Sequence, residues 1–303
     1  RQDVRTLILP DFFAQLLRLA RECVVDDQKQ QQQQQSDAES SANQRNIRLL
    51  GILKCIAAIY KYGKREELLK YTSGTLQAML DMDLLAKSQL AVVRKFHTKI
   101  IQRVGMAFFR AKVATWRYQR GSRVLMSNLK AAAAASGVAP TQVAEKSRGQ
   151  QEEEGNEEEE EKIPIEIEEI IEQILTGLRD ADTIVRWSAA KGVGRISNRL
   201  SRDMAADVFA SVLELFTFAE EDGAWHGACL AVAELGRRGL LLPEQLAAVV
   251  PIMLRALVYD KRLGNYSLGR NVRDAACYVC WSLARAFDAH HMQPYVNQVN
   301  IQV

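Results

Sequence analysis

Residues 178–197 read LRDADTIVRWSAAKGVGRIS. Two acids, Asp180 and Asp182, stand just before a helix-period segment that opens with Val185-Arg186. Asp182 suits the N-cap, where a carboxylate accepts from the orphan N–H groups of the first turn. Ser188, Ala189, Ala190, Gly192 and Gly194 are small, with Val193 and Ile196 on the apolar side, so another helix can approach closely. The design recurs. Ala224-Trp225-His226-Gly227-Ala228-Cys229 begins 39 residues after Val185, and Val272-Arg273-Asp274-Ala275-Ala276-Cys277 begins 48 residues after that.

An amphipathic stretch precedes each copy: Ile167 to Leu178, Val208 to Phe216, and Leu246 to Leu257. Helix pairs repeating at about 40 residues predict an all-α fold, a HEAT/armadillo-type α-solenoid of antiparallel helix pairs. The extra length before the third copy, YDKRLGNYSLGR, reads as a loop, and no segment sustains strand alternation. Pro10, Pro164, Pro243 and Pro251 fall near expected helix starts, where a missing N–H costs little.

Working outward, residues 1–25 read as helix and residues 26–45, with the glutamine tract Gln30 to Gln35, as a disordered loop too poor in apolar residues to fold. Residues 46–130 read as further helical repeats, including helices over Lys64 to Leu80, Ala86 to Phe109 and, on either side of Gly121, Ala111 to Leu129. Residues 131–162 carry a glutamate run and read as a disordered acidic linker, and 163–303 as HEAT repeats continuing beyond this piece. Both ends fall in mid-pattern, the expectation for part of a longer chain.

The net charge of +3 conceals a segmental pattern. From Leu84 to Ala144 there is no Asp or Glu, while Lys87, Arg94, Lys95, Lys99, Arg103, Arg110, Lys112, Arg117, Arg120, Arg123 and Lys130 all lie within. On a helical wheel Val92, Val93, Phe96, Ile100, Val104 and Phe108 form the apolar arc, and Lys95, Lys99 and Arg103 a ridge beside it. Such a ridge suits an acidic protein partner, nucleic-acid phosphate, the chain's own glutamate run, or an ordinary solvated face. No nucleic-acid recognition motif accompanies it. Five scattered cysteines predict reduced thiols in a cytosolic protein. No apolar run approaches the ~18 residues of a membrane span, and no secretory signal opens the chain.

RDADTIVRWSAAKGVGR, AWHGACLAVAELGRRGLLLP and NVRDAACYVCWSLARAF, in this order, resemble the tubulin-specific chaperone D (tubulin-folding cofactor D) family. YGKREE and RKFHTKIIQRVGMAFFRAKVATWRYQRG resemble the segment that precedes them there. The resemblance implies a helical scaffold that binds β-tubulin or the αβ-tubulin heterodimer. It implies work with tubulin-folding cofactors C and E and an Arf-like small GTPase to join and separate the heterodimer, the cofactors together stimulating GTP hydrolysis by tubulin. It also implies a cytoplasmic location at the cytoskeleton and centrosome. The nucleotide chemistry belongs to tubulin, so no enzyme, cofactor or metal is expected of this chain. Without the resemblance, a transport or signalling adaptor and a basic nucleic-acid-binding solenoid remain as readings of the repeats.

The candidate partner-binding residues are Arg186, Trp187, Trp225, His226, Arg273, Lys95, Lys99, Arg103, Trp116, Arg117 and Arg120. Each has a plainer reading. The tryptophans fit repeat-to-repeat packing, with Trp187 or Trp225 as a partly exposed anchor in the sharper view. Asp180, Asp182, Arg186, Arg273 and Asp274 fit capping and cross-bracing. His226 lacks a nameable nucleophile and orienting acid, and reads as packed or partner-contacting. Cys277-x-x-Cys280 near His290 and His291 lacks a second cysteine pair, and Cys277 aligns with the packing positions Ala190 and Cys229. Gly192-Val193-Gly194 lies inside a helix, so it is no phosphate loop.

Overall fold

The computed structural model describes residues 2–31, 38–110, 113–120, 164–264 and 266–302. One unit comprises Arg1–Tyr118 with Pro164–Val303; the other is Gln119–Ile163, of which only Gln119 and Arg120 are described. The acidic linker therefore lies outside the described residues.

The first unit is built of α-helices: α1 (Gln2–Gln31), α2 (Ala38–Tyr62), α3 (Arg65–Asp81), the short α4 (Asp83–Ala86) and α5 (Ala91–Phe108). After the undescribed stretch come α6 (Glu166–Gly177), α7 (Thr183–Ser197), α8 (Arg202–Leu213), α9 (Asp222–Arg237), α10 (Leu246–Leu257), α11 (Arg270–Ala286) and α12 (Ala289–Gln302). In one layer α2, α5, α7, α9 and α11 are successive neighbours. In the second, α6 packs against α5 and α7, α8 against α7 and α9, and α10 against α9 and α11. This is the armadillo-type arrangement that the repeat spacing predicts.

Local sequence explains each pair. Helix α6 opens with Glu166, Glu168 and Glu169, which favour its positive N-terminal end. Its Ile167, Ile170, Ile174 and Leu178 are buried at helical spacing. Helix α9 is buried along Ala224 to Gly236. A Cβ on Gly227 would sit 2.0 Å from the Leu178 carbonyl oxygen, so only glycine lets α9 approach the end of α6 this closely.

Several expectations need correction. Helix α1 runs on to Gln31 and α2 starts at Ala38, so 26–31 and 38–45 are helical rather than loop. Gln, Lys, Glu and Ala lose little side-chain freedom in a helix, and low apolar content does not prevent one. Residues 113–120 are non-helical; 111, 112 and 121–129 lie outside the described residues. Pro10 and Pro251 lie within α1 and α10 rather than at their starts. Pro251 and Ala247, whose carbonyl loses its donor, are both exposed, so water can satisfy that oxygen. The stretch before α11 holds an antiparallel hairpin, Lys261–Leu263 with Tyr266–Leu268, turning through Gly264 at φ +60°. A Gly-Asn pair between two short runs is a hairpin signal that the helix-dominated pattern obscured.

Candidate partner-binding face

The quoted stretch is first a brace. Asp182 holds the N-cap position of α7 without a side-chain cap bond. The turn is made instead by Asp180, whose Oδ1 accepts from the Asp182 N–H at 2.7 Å. Arg94 of α5 donates to both oxygens of Asp180, at 2.8 and 3.0 Å. Arg186 donates from Nη1 to the Asp180 and Ala181 carbonyls, from Nη2 to Thr183 Oγ1, and from Nε to His226 Nδ1 at 2.9 Å. Both Arg186 and His226 are buried. Burial, and the adjacent guanidinium, push His226 down to about 4, so the ring is a neutral acceptor. Arg186 and His226 thus tie the starts of α7 and α9 together and present nothing to a partner.

Trp225 is 2% exposed, with its Nε1 donating to the Thr217 carbonyl at 2.9 Å and its ring against Phe216 and Tyr259. It is a packing residue, because it lies in the run Ala224 to Gly236 of α9, which is buried throughout. Arg273 donates to the Tyr259 carbonyl at 2.6 Å and holds the turn before α11. Cys229 is buried like Ala190, but Cys277 at the aligned position is exposed.

A second group forms a strap. Residues 113–118 alternate outward and inward, with Ala114, Trp116 and Tyr118 turned in. The Ala114 N–H donates to the Asn198 carbonyl at the end of α7, and Trp116 Nε1 to the Leu200 carbonyl at 3.1 Å. The Tyr118 N–H donates to the Gly239 carbonyl beyond α9, and its hydroxyl to Asp288 beyond α11 at 2.8 Å. Helix ends leave carbonyls without partners, and this segment supplies donors to several in turn. Gly239 has φ +75°, and a Cβ there would sit 2.2 Å from the Tyr118 backbone carbonyl oxygen. Trp116 is therefore a brace; Arg117 points outward from the strap, and Arg120 belongs to the second unit and is not assigned to this face.

What remains is a surface on the first layer. On α5 the buried arc is Val93, Ile100, Ile101 and Val104, while Val92 is 40% exposed and Phe96 half-buried. Arg94 and Lys87 leave the free basic block, Arg94 to Asp180 and Lys87 to Asp83. Lys95, Lys99 and Arg103 stay together, and Arg103 also donates to the Ala57 carbonyl. Sequence reading missed their continuation on α7. Lys191 and Arg195, both exposed, follow Trp187 at four-residue steps and lie close enough to Lys99 to act on its charge. Burial, then Lys95, Arg103, Arg195 and Lys191, push the Lys99 ammonium below its ordinary value.

Aromatic rings underlie the cations. Lys95 and Lys99 stand 5.9 and 5.6 Å from the Phe96 centroid, and Lys191 5.3 Å from that of Trp187. Trp187 reaches across α9 to Tyr278 of α11 at 5.5 Å, and Tyr278 stacks on Trp281, which is 49% exposed beneath Arg285. The surface joins cation rows to an aromatic bridge. The signal that could have found it is the Trp187-Lys191-Arg195 spacing, which puts three side chains on one helical face.

Among the described residues no group of three or more His, Cys, Asp or Glu could hold a metal ion, and no helix is long and apolar enough to cross a membrane.

The family model for tubulin-specific chaperone D-like ARM repeats matches residues 92–303. The tubulin-specific chaperone D of Dictyostelium discoideum is 36% identical over 258 residues, which are 82% of this chain and 17% of that protein. The tubulin-folding cofactor D of Schizosaccharomyces pombe is 32% identical over 141 residues, 42% of this chain and 13% of that protein. The chain thus spans well under a quarter of the length of these relatives. A designed armadillo repeat protein aligns at 13% identity with a TM-score of 0.36, over 84% of this chain and 81% of its own. The chain belongs to the tubulin-specific chaperone D-like family of armadillo-repeat proteins.

Proposed function

We propose that this chain is a protein-holding portion of a tubulin-folding cofactor D, which binds β-tubulin alone or in the αβ heterodimer. In this reading it works with tubulin-folding cofactors C and E and an Arf-like small GTPase to assemble and disassemble the heterodimer. The observation that carries the reading is the 36% identity to a tubulin-specific chaperone D across most of the chain. The geometry suits it: a layer of braced helices offers a broad face of cations and rings. Such a scaffold acts by contacting one conformational state of its partner better than another. It is not itself the enzyme; hydrolysis of GTP stays with tubulin. The cytoplasm, at the cytoskeleton and centrosome, is where this reading places it.

Size-exclusion chromatography with purified tubulin at physiological salt tests the reading. A co-eluting complex is expected. If a longer piece of the protein, extended at both ends, also forms no complex, the reading fails.

A further inference from the structure

We propose that Lys95, Lys99 and Arg103 on α5, with Lys191 and Arg195 on α7, form a track that docks an extended, glutamate-rich segment of a partner protein. The proposal deepens the scaffold reading and rests on it only for the partner's being a protein.

The spacing argues for an extended segment. Within each row the cations recur every four residues, which on a helix is a step of about 6 Å. Side chains on one face of an extended chain recur every second residue, a step of about 6.6 Å. Alternate glutamates can therefore meet successive cations along α5 or α7 without the segment bending. The two rows run side by side because α5 and α7 are packed neighbours.

The charge argues for an acid. None of the five cations has an ion-pair partner among the described residues, and the nearby acids are committed elsewhere. Asp180 is held by Arg94, and Glu234, only 1% exposed, by Arg237 and Arg238 at 2.9 Å. Four like charges gathered around the half-buried Lys99 repel it and one another, and an incoming row of carboxylates relieves that repulsion. Phe96 and Trp187 hold three of the ammonium groups over their rings, so less side-chain freedom is lost on binding.

The same contacts argue against single-stranded nucleic acid. Its sequence-tolerant grip comes from bases stacking on free aromatic faces. Here the faces of Phe96 and Trp187 are taken by the protein's own lysines.

Fluorescence anisotropy with a labelled peptide of alternating glutamate and glycine tests the site on the intact chain. The peptide is expected to bind with affinity that falls as salt rises, and its glutamine counterpart to show no binding. Lys99→Gln and Lys191→Gln should each weaken binding by up to about fivefold, the upper end for one exposed ion pair. Lys70→Gln, on α3, makes the same charge change elsewhere and should leave affinity unaltered. Circular dichroism melting of each variant separates lost binding from lost folding. Equal binding of the glutamine peptide, equal losses from Lys70→Gln, or tighter binding of a single-stranded oligonucleotide would each overturn the proposal. Tubulin co-elution without peptide binding sinks this site and spares the scaffold reading; peptide binding without tubulin co-elution does the reverse.

Discussion

Arg186 Nε donates to His226 Nδ1 over 2.9 Å, joining two helices whose residues stand 40 apart in sequence. Arg186 is 4% exposed, and among the described residues no carboxylate is hydrogen-bonded to it; three further hydrogens of the guanidinium go to the Asp180 and Ala181 carbonyls and the Thr183 hydroxyl. Burial is what pushes Arg186 below its ordinary value, and Asp222, Asp180 and Asp182 act against that. Removing the side chain orphans several acceptors at once. Arg186→Met should cost about 3 kcal/mol of unfolding free energy, read from the urea midpoint, since buried polar atoms without partners are expensive. A change under ~0.5 kcal/mol would mean the network contributes little.

Protonation of His226 opposes folding. Its folded value is near 4, against 6.5 for the free side chain, so the unfolded chain binds the extra proton across that window. Stability is therefore full above the unfolded value, declines as pH falls from about 6.5 towards 4, and levels below. After allowing for solvent screening, the loss should be about 2 kcal/mol, followed as the urea midpoint against pH. His226→Gln should flatten that part of the profile. His97, also buried and also lowered, will contribute a decline of the same sign.

The tryptophans should separate by burial. Trp225→Ala removes a fully enclosed ring and should cost about 3–5 kcal/mol. Trp281→Ala, at a half-exposed position, should change stability by less than about 1 kcal/mol. Thermal melting of the two variants side by side checks the contrast.

Gly227→Ala places a methyl group inside the Leu178 carbonyl. The end of α6 or the start of α9 must shift, at a cost of about 1–3 kcal/mol or more. A denaturation midpoint equal to that of the parent would contradict the packing described.

Tyr118→Phe keeps the ring stacked on Phe287 at 5.0 Å but loses the hydroxyl's bond to Asp288. The loss should be about 1 kcal/mol. Hydrogen exchange should quicken at the Tyr118 N–H, which bonds Gly239 in the same strap.

Much of this was legible in the residues. Small positions such as Ala189 and Ala190, repeated at Ala228 and Cys229, announced helices that pack face to face, and the wording around Arg186 announced the family. The candidate site was legible only in part. Lys95, Lys99 and Trp187 were found, whereas Lys191, Arg195, Tyr278 and Trp281 were passed over. Arg186, Trp225 and His226 each allowed a contact or an internal reading, and all three are buried, as bracing and packing require. The segment 113–118 looked helical because it follows a helix and carries helix-tolerant residues, yet the acceptors it serves, carbonyls just past two helix ends and the Asp288 carboxylate, lie 84 to 170 positions away.

The sequence by itself determined that the fold is built of repeating helix pairs, because these follow from local periodicity and from small residues at fixed spacing. Only the tertiary structure decided which polar groups are spent inside. The quoted stretch holds both kinds: Arg186 turns inward to His226, and Lys191 and Arg195 on the same helix turn outward beside Lys99. Whether a cation finds a buried acceptor or another cation depends on what a distant helix places opposite it, and helical spacing carries no information about that.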